Sequence, residues 1–198
     1  LRITYVGELG WELYVPTEFA QDIFDKIIEY GKDYGLKLSG LHALNSLRLE
    51  KSFRHWGHDI TDEDTPLEAG LEFAVKYEKK GGFIGREALL LKKESLLESK
   101  MEAFEKRLVQ FALEDPIPML YHNEPIWCDG RIVGDLTSGM YGHTIGTCLG
   151  MGYVFNKGGV TDEFIKSCKF EIEVAGDRYN AKASLKAFYD PLSKRVRI

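Results

Sequence analysis

The sequence has no apolar run that approaches the ~20 residues needed to cross a bilayer, so it does not predict a membrane-spanning chain. It also lacks the pattern of a signal peptide. An excess of positive charge is missing as well, because 26 lysine and arginine residues face 31 aspartate and glutamate residues. Proteins that bind duplex nucleic acid need a basic surface to displace counterions. We therefore expect neither a membrane nor a nucleic acid as a partner.

Cysteine is scarce. The three cysteines, Cys128, Cys148 and Cys168, are far apart and form no Cys-x-x-Cys motif, which is more typical of buried thiols in a reducing compartment than of a disulfide framework. The five histidines show no His-Glu-x-x-His spacing, and the pair His55 and His58 has a glycine inside it and no flanking ligands. We expect neither a disulfide nor a metal site.

The first residues alternate between apolar and polar side chains, which predicts a β-hairpin over residues 1–15 that ends at Pro16. A strand normally lies beside a partner, and the chain has no initiator Met, so we expect it to be a fragment of a larger protein. A helix capped by Thr17 and closed by Gly31 follows, and a second helix is predicted over 39–52. Strands alternating with helices indicate an α/β layer.

Short strands dominate from Arg107 onwards. The pair Asp129-Gly130 between two apolar runs is a strong hairpin signal, and several short strands separated by glycine-rich turns indicate a small antiparallel barrel. We predict an α+β protein with a partial, ferredoxin-like α/β layer over residues 1–83, followed by a linker helix and an antiparallel β-barrel over residues 84–198.

Three smaller expectations concern single side chains. Glu50 and Arg54 are spaced i, i+4 and would form an ion pair if the second helix extends that far. The acidic residues between 59 and 64 are expected in a solvated loop. Trp127 could stack on a ligand at the mouth of the barrel, but packing in the core is the favoured interpretation.

The opening run, Tyr5-Val6-Gly7-Glu8-Leu9-Gly10-Trp11-Glu12, places two glycines and two carboxylates in one tight segment. A carboxylate on a short strand can accept two roughly parallel hydrogen bonds from a heterocycle that carries an amino group beside a ring N–H, as a pterin does. From spacing alone, however, Glu8 and Glu12 would be ordinary turn and strand residues.

The same run resembles the Tyr-x-Gly-Glu-x-Gly-x-Glu signature of the folate-binding module shared by the glycine-cleavage T-protein and the dimethylglycine and sarcosine dehydrogenases. The resemblance continues in order over nearly the whole chain, through residues 46–51, 54–60, 65–71, 83–89 and 134–139. Trp11, residues 54–57 and residues 189–191 are closer to the flavin-dependent dehydrogenase branch. Leu44 stands where T-proteins often have arginine, which favours the same branch.

The resemblance implies that Glu12 is the ligand of the pterin edge and that Tyr5 lines the folate pocket. It also implies tetrahydrofolate as the cofactor and a catalytic aspartate that lies upstream of this chain, so no catalytic residue is named here. FAD is expected only in an upstream domain, because the chain has no Gly-x-Gly-x-x-Gly fingerprint. The expected partners are those upstream folate and FAD domains and an N-methylated glycine substrate, in the mitochondrial matrix or the bacterial cytoplasm.

The implied activity is transfer of a one-carbon unit to tetrahydrofolate, giving 5,10-methylenetetrahydrofolate, in a dimethylglycine or sarcosine dehydrogenase-like flavoenzyme. Two alternatives stay open. One is a T-protein-type aminomethyltransferase without flavin, and the other is a non-catalytic regulatory relative, such as the regulatory subunit of pyruvate dehydrogenase phosphatase.

Overall fold

Helices occupy the first part of the chain and a barrel the second in the computed structural model, which describes residues 1–99 and 101–197. The helices are α1 (Thr17–Gly31), α2 (Leu41–Glu50), α3 (Arg86–Glu98) and α4 (Asp162–Ser167), with short 3-10 turns at Lys32–Tyr34 and Glu72–Ala74. The strands are β1 (Lys106–Leu113), β2 (Pro125–Cys128), β3 (Arg131–Gly142), β4 (Thr147–Phe155), β5 (Phe170–Val174) and β6 (Asp177–Ser184). The predicted α+β class is confirmed.

The strands close into an antiparallel barrel in the order β1-β4-β3-β2-β5-β6, which confirms the predicted barrel. Strand β1 completes the closure, because it pairs with β4 on one side and with β6 on the other. Successive side chains of a strand face opposite sides. Val109 and Phe111 therefore enter the main core, while Leu108 and Ala112 form a second cluster with Leu49 of α2. The outer faces of β1 and β4 thus pack against Leu49 of α2.

The hairpin between β2 and β3 follows the sequence signal. Asp129 and Gly130 form the two-residue turn with φ angles of 48° and 78°, and Cys128 pairs with Arg131 across it. Two consecutive residues with positive φ match the right-handed twist of the flanking strands. The hairpin prediction from Asp-Gly is therefore confirmed.

The predicted hairpin over residues 1–15 does not form strands. The chain does fold back, since the Leu1 ammonium donates to the Glu12 carbonyl at 2.8 Å and the Glu12 N–H donates to the Leu1 carbonyl at 2.9 Å. One such pair is too little for a strand, because a two-stranded ribbon without a third strand or a covering helix is only marginally stable. The prediction of paired strands here is wrong.

The helix boundaries differ from the sequence prediction at their beginnings. Pro16, not Thr17, caps α1, and α2 begins at Leu41 after Gly40, with no side-chain cap in either case. The predicted end of α1 at Gly31 is confirmed. None of the helices in residues 1–99 and 101–197 is long and apolar enough to cross a membrane.

Polar side chains attach helix α2 to the barrel. The Ser46 hydroxyl donates to the Tyr141 carbonyl at 2.7 Å. The buried Glu50 carboxylate accepts the backbone N–H groups of Thr144 at 2.6 Å and Ile145 at 3.0 Å, at the β3–β4 turn. Charged acceptors make stronger hydrogen bonds than neutral ones, and a buried carboxylate needs them. These bonds fix the rotation of α2 relative to β3.

An ion pair between Arg48 and Asp59 lies at the centre of this contact. The Nη1 atom of Arg48 is 2.6 Å from the Asp59 Oδ2 atom, and the two residues are 4% and 0% exposed. Arg48 also donates from Nη1 to the Phe53 carbonyl at 3.1 Å and from Nη2 to the Ser138 hydroxyl at 2.8 Å. A single guanidinium therefore connects α2, the following loop and strand β3.

Both oxygens of the Asp59 carboxylate accept hydrogen bonds. Its Oδ2 atom accepts the His55 backbone N–H at 2.8 Å, and its Oδ1 atom accepts the Thr137 hydroxyl at 2.6 Å. Loop residues 53–60 are thereby closed over the end of α2 and fixed to β3. The expectation of a solvated acidic loop is wrong for Asp59, and it is also wrong for Asp64, whose largely buried carboxylate lies 2.6 Å from the Lys106 ammonium.

The predicted ion pair between Glu50 and Arg54 is also wrong. Helix α2 ends at Glu50, and Ser52 has a φ of 55°, so the helical spacing does not continue to Arg54. The Arg54 guanidinium instead donates to the carbonyls of Ser52 at 2.5 Å and Ala69 at 2.9 Å. It holds two turns of the loop region together.

The preferred interpretation of Trp127 as a core residue is wrong. Ile126 and Cys128 point into the barrel, so alternation along β2 directs Trp127 outwards. The indole is covered by the Arg178 guanidinium, whose central carbon lies 3.3 Å from the ring centroid, and its N–H donates to Glu173 at 2.9 Å. The residue contributes to the outer surface of the β2–β5–β6 sheet.

Two of the three cysteines are paired, so the prediction of no disulfide, made from their number and spacing, is wrong. A disulfide joins Cys128 at the end of β2 to Cys168 just before β5, and their Cα atoms are 5.7 Å apart. Strands β2 and β5 are neighbours in the barrel, which brings together residues 40 positions apart in sequence. Cys148 is a free, buried thiol, as expected, and its burial raises its pKa.

Replacing Asp59 with asparagine should lower the free energy of unfolding by about 3–5 kcal/mol, because Arg48 would be left buried without a counter-charge. Asp62→Asn is the matched control, since Asp62 is exposed just after the same loop and its replacement should change stability little. Urea denaturation of the two variants and the wild type measures the difference. Equal midpoints for both variants would show that the ion pair does not stabilise this contact.

Candidate functional site

Tyr5 is fixed against the loop that follows α2. Its hydroxyl donates to the Arg54 carbonyl at 3.0 Å, and its ring lies nearly parallel to that of Phe53, with 6.4 Å between the centroids. Burial raises the pKa of the Tyr5 hydroxyl, an effect that the Arg48 charge opposes and the Asp59 charge reinforces. The ring is held as a rigid, half-buried wall at the base of the opening segment.

Gly7 makes the closest approach between the opening segment and α2. It is buried with a φ of 73°, and a Cβ atom built on it would overlap the Cγ atom of Lys51. Both the left-handed backbone and the absence of a side chain are therefore required at this position. The stem of Lys51 occupies the space that any other residue would need.

The Lys51 ammonium connects this contact to the end of the chain. It is 3.1 Å from the Asp190 carboxylate, and it donates to the Asp190 carbonyl at 2.7 Å and to the Ser193 hydroxyl at 3.2 Å. The Lys51 residue is only 4% exposed, so these three acceptors replace the water it loses. The segment after β6 is thus anchored beneath the opening segment.

Glu8 is the carboxylate of the opening run that binds this terminal segment. Its Oε1 atom accepts the Tyr189 hydroxyl at 3.0 Å, and the Arg195 guanidinium donates to the same Tyr189 oxygen at 2.7 Å. Glu8 therefore takes part in a contact that joins the opening segment to the distant terminal segment.

Glu12 has a different environment. Its Oε2 atom accepts the Tyr14 hydroxyl at 2.7 Å, and this hydrogen bond raises the pKa of Tyr14. Its backbone is paired with Leu1, which fixes the direction of the strand-like segment. The side chain is half-buried, and its Oε1 atom accepts no hydrogen bond within residues 1–99 and 101–197. Glu12 therefore keeps acceptor capacity for a ligand.

The two residues singled out from the sequence are not in contact with each other. Tyr5 contacts Phe53 and Arg54, whereas Glu12 contacts Leu1 and Tyr14. Sequence reasoning did not find the supporting residues Lys51, Tyr189 and Arg195. Lys51 and Tyr189 lie within segments that carry the family resemblance, but their contacts span more than a hundred residues and no local pattern encodes them.

One group of possible metal ligands occurs in the described part of the chain. The ligand atoms of Cys128, Asp129 and Cys168 lie within 4.8 Å of one another, but the two sulfur atoms are joined in the disulfide. Thiolates, not disulfide sulfurs, are metal ligands. The prediction that the protein has no metal site stays a prediction.

Both parts of the fold match known protein families. Residues 1–79 match the GCVT N-terminal domain, and residues 106–190 match the glycine cleavage T-protein C-terminal barrel domain. The second match coincides with the six-strand barrel, and the first covers the opening segment, α1, α2 and the loop that contains Asp59.

Individual relatives match over the whole chain. The chain is 44% identical to 4-methylaminobutanoate oxidase (formaldehyde-forming) of Paenarthrobacter nicotinovorans and 37% identical to human mitochondrial sarcosine dehydrogenase, in each case over 100% of this chain. It spans 22% and 21% of the length of these two relatives. The chain therefore corresponds to about a fifth of each protein.

A solved structure shows the same fold. The crystal structure of the glycine cleavage system aminomethyltransferase T from Bartonella henselae superposes with a TM-score of 0.75 at 28% sequence identity. The alignment covers 93% of this chain and 48% of that one.

Gly7→Ala should destabilise the protein more than Gly81→Ala. Both glycines have positive φ, at 73° and 86°, but only Gly7 has a side chain, that of Lys51, where a Cβ atom would lie. The backbone strain shared by the two variants costs about 1–2 kcal/mol, and the clash at Gly7 adds about 1–3 kcal/mol.

Urea denaturation gives the free energy of unfolding of each variant. The difference between the two values measures the extra destabilisation at Gly7. If the two substitutions proved equally costly, the packing of Lys51 against the opening segment would not be a tight constraint.

Proposed function

The chain belongs to the glycine cleavage T-protein family, and we propose that it is the tetrahydrofolate-binding portion of a larger dimethylglycine or sarcosine dehydrogenase-like flavoenzyme. The proposed reaction is transfer of a one-carbon unit to tetrahydrofolate, which gives 5,10-methylenetetrahydrofolate. The observation that carries the proposal is the Glu12 carboxylate, which is accessible and has one oxygen without a partner in the described residues, within a segment held by Tyr5 and Gly7.

Glu12 suits the edge of a pterin. That edge presents an amino group beside a ring N–H, so two parallel donors meet two carboxylate oxygens. A hydrogen bond to an ionised acceptor is shorter and stronger than a neutral one, and a ring without these donors would leave the carboxylate unpaired. The Tyr14 hydroxyl on Oε2 orients the group and still leaves that oxygen further lone-pair capacity.

Tyr5 supplies a wall of the proposed pocket. Its hydroxyl is bonded to the Arg54 carbonyl and its ring rests beside Phe53, so the ring loses no rotational freedom when a ligand arrives. A flat heterocycle gains from such surfaces, because aromatic groups bury large areas at small entropic cost.

Positioning is the catalytic contribution expected from these residues. When bound, tetrahydrofolate supplies a nucleophilic nitrogen, N5, to which the one-carbon unit is joined. Glu12 and Tyr5 would fix the orientation of the ring that carries this nitrogen. The entropic cost of aligning the nitrogen with the carbon would then be met when the ligand binds, before the reaction step. The catalytic aspartate is proposed to lie upstream of this chain, so none of the residues of this chain is assigned a proton-transfer role.

The flavoenzyme branch is favoured over the T-protein by two observations. Leu44 stands in α2 where T-proteins often have arginine. The chain also matches an oxidase and a sarcosine dehydrogenase over its full length. We therefore propose an N-methylated amino acid of the N-methylglycine class as the amine substrate, with FAD in an upstream domain.

The proposed cellular compartment is also based on the relatives. One relative is mitochondrial and the other comes from a bacterium. We propose the mitochondrial matrix or the bacterial cytoplasm. The Cys128–Cys168 disulfide is unusual for such reducing compartments.

Glu12→Gln should weaken the binding of tetrahydrofolate by about 10- to 100-fold, the range expected for a hydrogen bond to a charged group. Isothermal titration calorimetry of the wild type and the variant measures it. Glu8→Gln is the matched control, because Glu8 lies in the same segment but is bound to Tyr189. Equal affinities of the wild type and Glu12→Gln would remove Glu12 from the site.

The isolated chain should show little turnover even where it binds tetrahydrofolate, because the proposed catalytic aspartate and part of the pocket belong to upstream sequence. Formation of 5,10-methylenetetrahydrofolate from formaldehyde-equivalent donors, compared with the uncatalysed rate, measures this. A rate well above that background would show that the chain contains its own catalytic group.

A further inference from the structure

The cluster formed by Cys128, Asp129 and Cys168 has no part in the proposed function. Cys128 is the last residue of β2, Asp129 begins the turn to β3, and Cys168 follows the end of α4. One ligand atom from each residue lies within 4.8 Å of the other two, and no other such group occurs in residues 1–99 and 101–197. The cluster combines two soft sulfur atoms with a carboxylate, and both are ligands of thiophilic metal ions.

The backbone around the cluster is held by paired elements. Strands β2 and β5 are neighbours, and Cys128 lies opposite Phe170, two residues after Cys168. The backbone N–H of Cys168 donates to the Phe164 carbonyl at 3.1 Å and ends helix α4. The two residues of the turn after Cys128 have positive φ, as a tight hairpin requires. The three residues are therefore positioned by the barrel itself, which is the condition for a preformed site.

The residue before β5 orients the Asp129 carboxylate. Its Oδ1 atom accepts the Lys169 backbone N–H at 3.1 Å, and the Asp129 N–H donates to the Lys169 carbonyl at 3.2 Å. The Oδ2 atom lies 3.8 Å from the Cys128 sulfur. A disulfide sulfur has no hydrogen to donate, so this contact is not a hydrogen bond. A carboxylate with one oxygen fixed by a backbone N–H and the other facing a sulfur is oriented as a metal ligand is.

The cysteine pair has an oxidised and a reduced state. In the oxidised state the sulfurs form the disulfide, which is not a metal ligand. A thiol reductant attacks the disulfide through its thiolate, and a second thiol of the reductant completes the exchange. The S–S bond breaks, each cysteine sulfur takes one proton, and the reductant supplies two electrons and leaves as its own disulfide. Asp129 is exposed and Cys168 is partly exposed, so the cluster borders the solvent.

The reduced cluster meets the requirements of Zn²⁺. Two thiolates on a tetrahedral ion with Zn–S distances of about 2.3 Å are about 3.8 Å apart. Rotation about the two Cα–Cβ bonds brings the sulfurs to this separation from Cα atoms that are 5.7 Å apart. The Oδ2 atom of Asp129, already beside the Cys128 sulfur, is the third ligand. Water completes the four-coordinate shell, because Asp129 lies at the surface.

We propose that Cys128, Asp129 and Cys168 form a redox-dependent Zn²⁺ site. In the oxidised chain the disulfide joins the β2–β3 hairpin to the segment between α4 and β5, and in the reduced chain Zn²⁺ makes the same connection. The ion displaces the two thiol protons, and its charge is balanced by two thiolates and a carboxylate. Mg²⁺ and Ca²⁺ are bound by oxygen ligands and should not compete. The cluster shares no residue with the opening segment, so the site does not depend on tetrahydrofolate binding.

A zinc titration of the 198-residue chain in both redox states tests the proposal. The chain carries Cys148→Ala, which removes the cysteine outside the cluster. After reduction by a phosphine, which adds no competing thiol, one Zn²⁺ per chain should bind in competition with a chromophoric chelator. The oxidised chain should bind more than about 100-fold more weakly, since even a lost outer-shell contact costs up to about 100-fold. Equal binding in the two states, or no binding by the reduced chain, would overturn the proposal.

Co²⁺ identifies the ligands spectroscopically. It takes the place of Zn²⁺ at tetrahedral sites, and the reduced chain should show a thiolate-to-cobalt charge-transfer band that Zn²⁺ abolishes. Circular dichroism of the same samples follows the fold. If reduction loosens the barrel, Zn²⁺ should restore the spectrum of the oxidised chain, because binding to the folded state stabilises it. A missing charge-transfer band, or a loosened barrel that Zn²⁺ leaves unchanged, would contradict the proposed ligands.

Single substitutions separate the ligands from their surroundings. Cys168→Ser should abolish Zn²⁺ binding by the reduced chain. Asp129→Asn should weaken it at least about tenfold, and asparagine tolerates the positive φ of this turn, so the hairpin is kept. Asp177→Asn is the matched control, because Asp177 is an exposed carboxylate at the turn between β5 and β6. Equal affinities of Asp129→Asn and Asp177→Asn would remove the carboxylate from the site and with it the proposal.

Discussion

The buried ion pair between Arg48 and Asp59 is the contact on which the rest of the molecule depends. The two charges are removed from water, so each needs every hydrogen bond that the surroundings supply. Those bonds come from the loop at residues 53–60 and from Thr137 and Ser138 on β3. Satisfying the pair therefore sets the position of the helical part on the barrel, which apolar packing by Leu49 alone would leave free to slide.

Helix α2 carries this constraint to the candidate site. The helix is bonded to the barrel through Ser46, Arg48 and Glu50, and its last residue is followed by Lys51, whose stem packs against Gly7. The Lys51 ammonium holds the terminal segment at Asp190, and that segment returns to Glu8 through Tyr189. The orientation of the segment that ends in Glu12 is thus determined by contacts from both ends of the chain. Tyr5 is held by the loop that follows the same helix.

Much of the fold could be predicted, because it depends on local chemistry. The Asp129-Gly130 turn requires two residues with positive φ, and alternating side chains specify strands that face a core on one side, so the barrel followed from the sequence. The opening hairpin was predicted by the same rule and failed, because strand formation there needs a neighbour that the pattern does not supply. Glu50 and Arg54 were paired on helical spacing, but the helix ends between them. The disulfide was missed because only barrel closure brings Cys128 near Cys168.

The sequence by itself determined the family, the barrel, and the choice of Glu12 and Tyr5 as candidates, because these depend on ordered motifs and on periodicities that are read within a few residues. Only the tertiary structure decided the partners of the two similar carboxylates: Glu8 accepts the hydroxyl of Tyr189, 181 positions away, and Glu12 accepts that of Tyr14. It also decided that Asp59 is buried and that Cys168 lies beside Cys128 and Asp129. Burial and pairing are properties of segments distant along the chain, so no local pattern contains them.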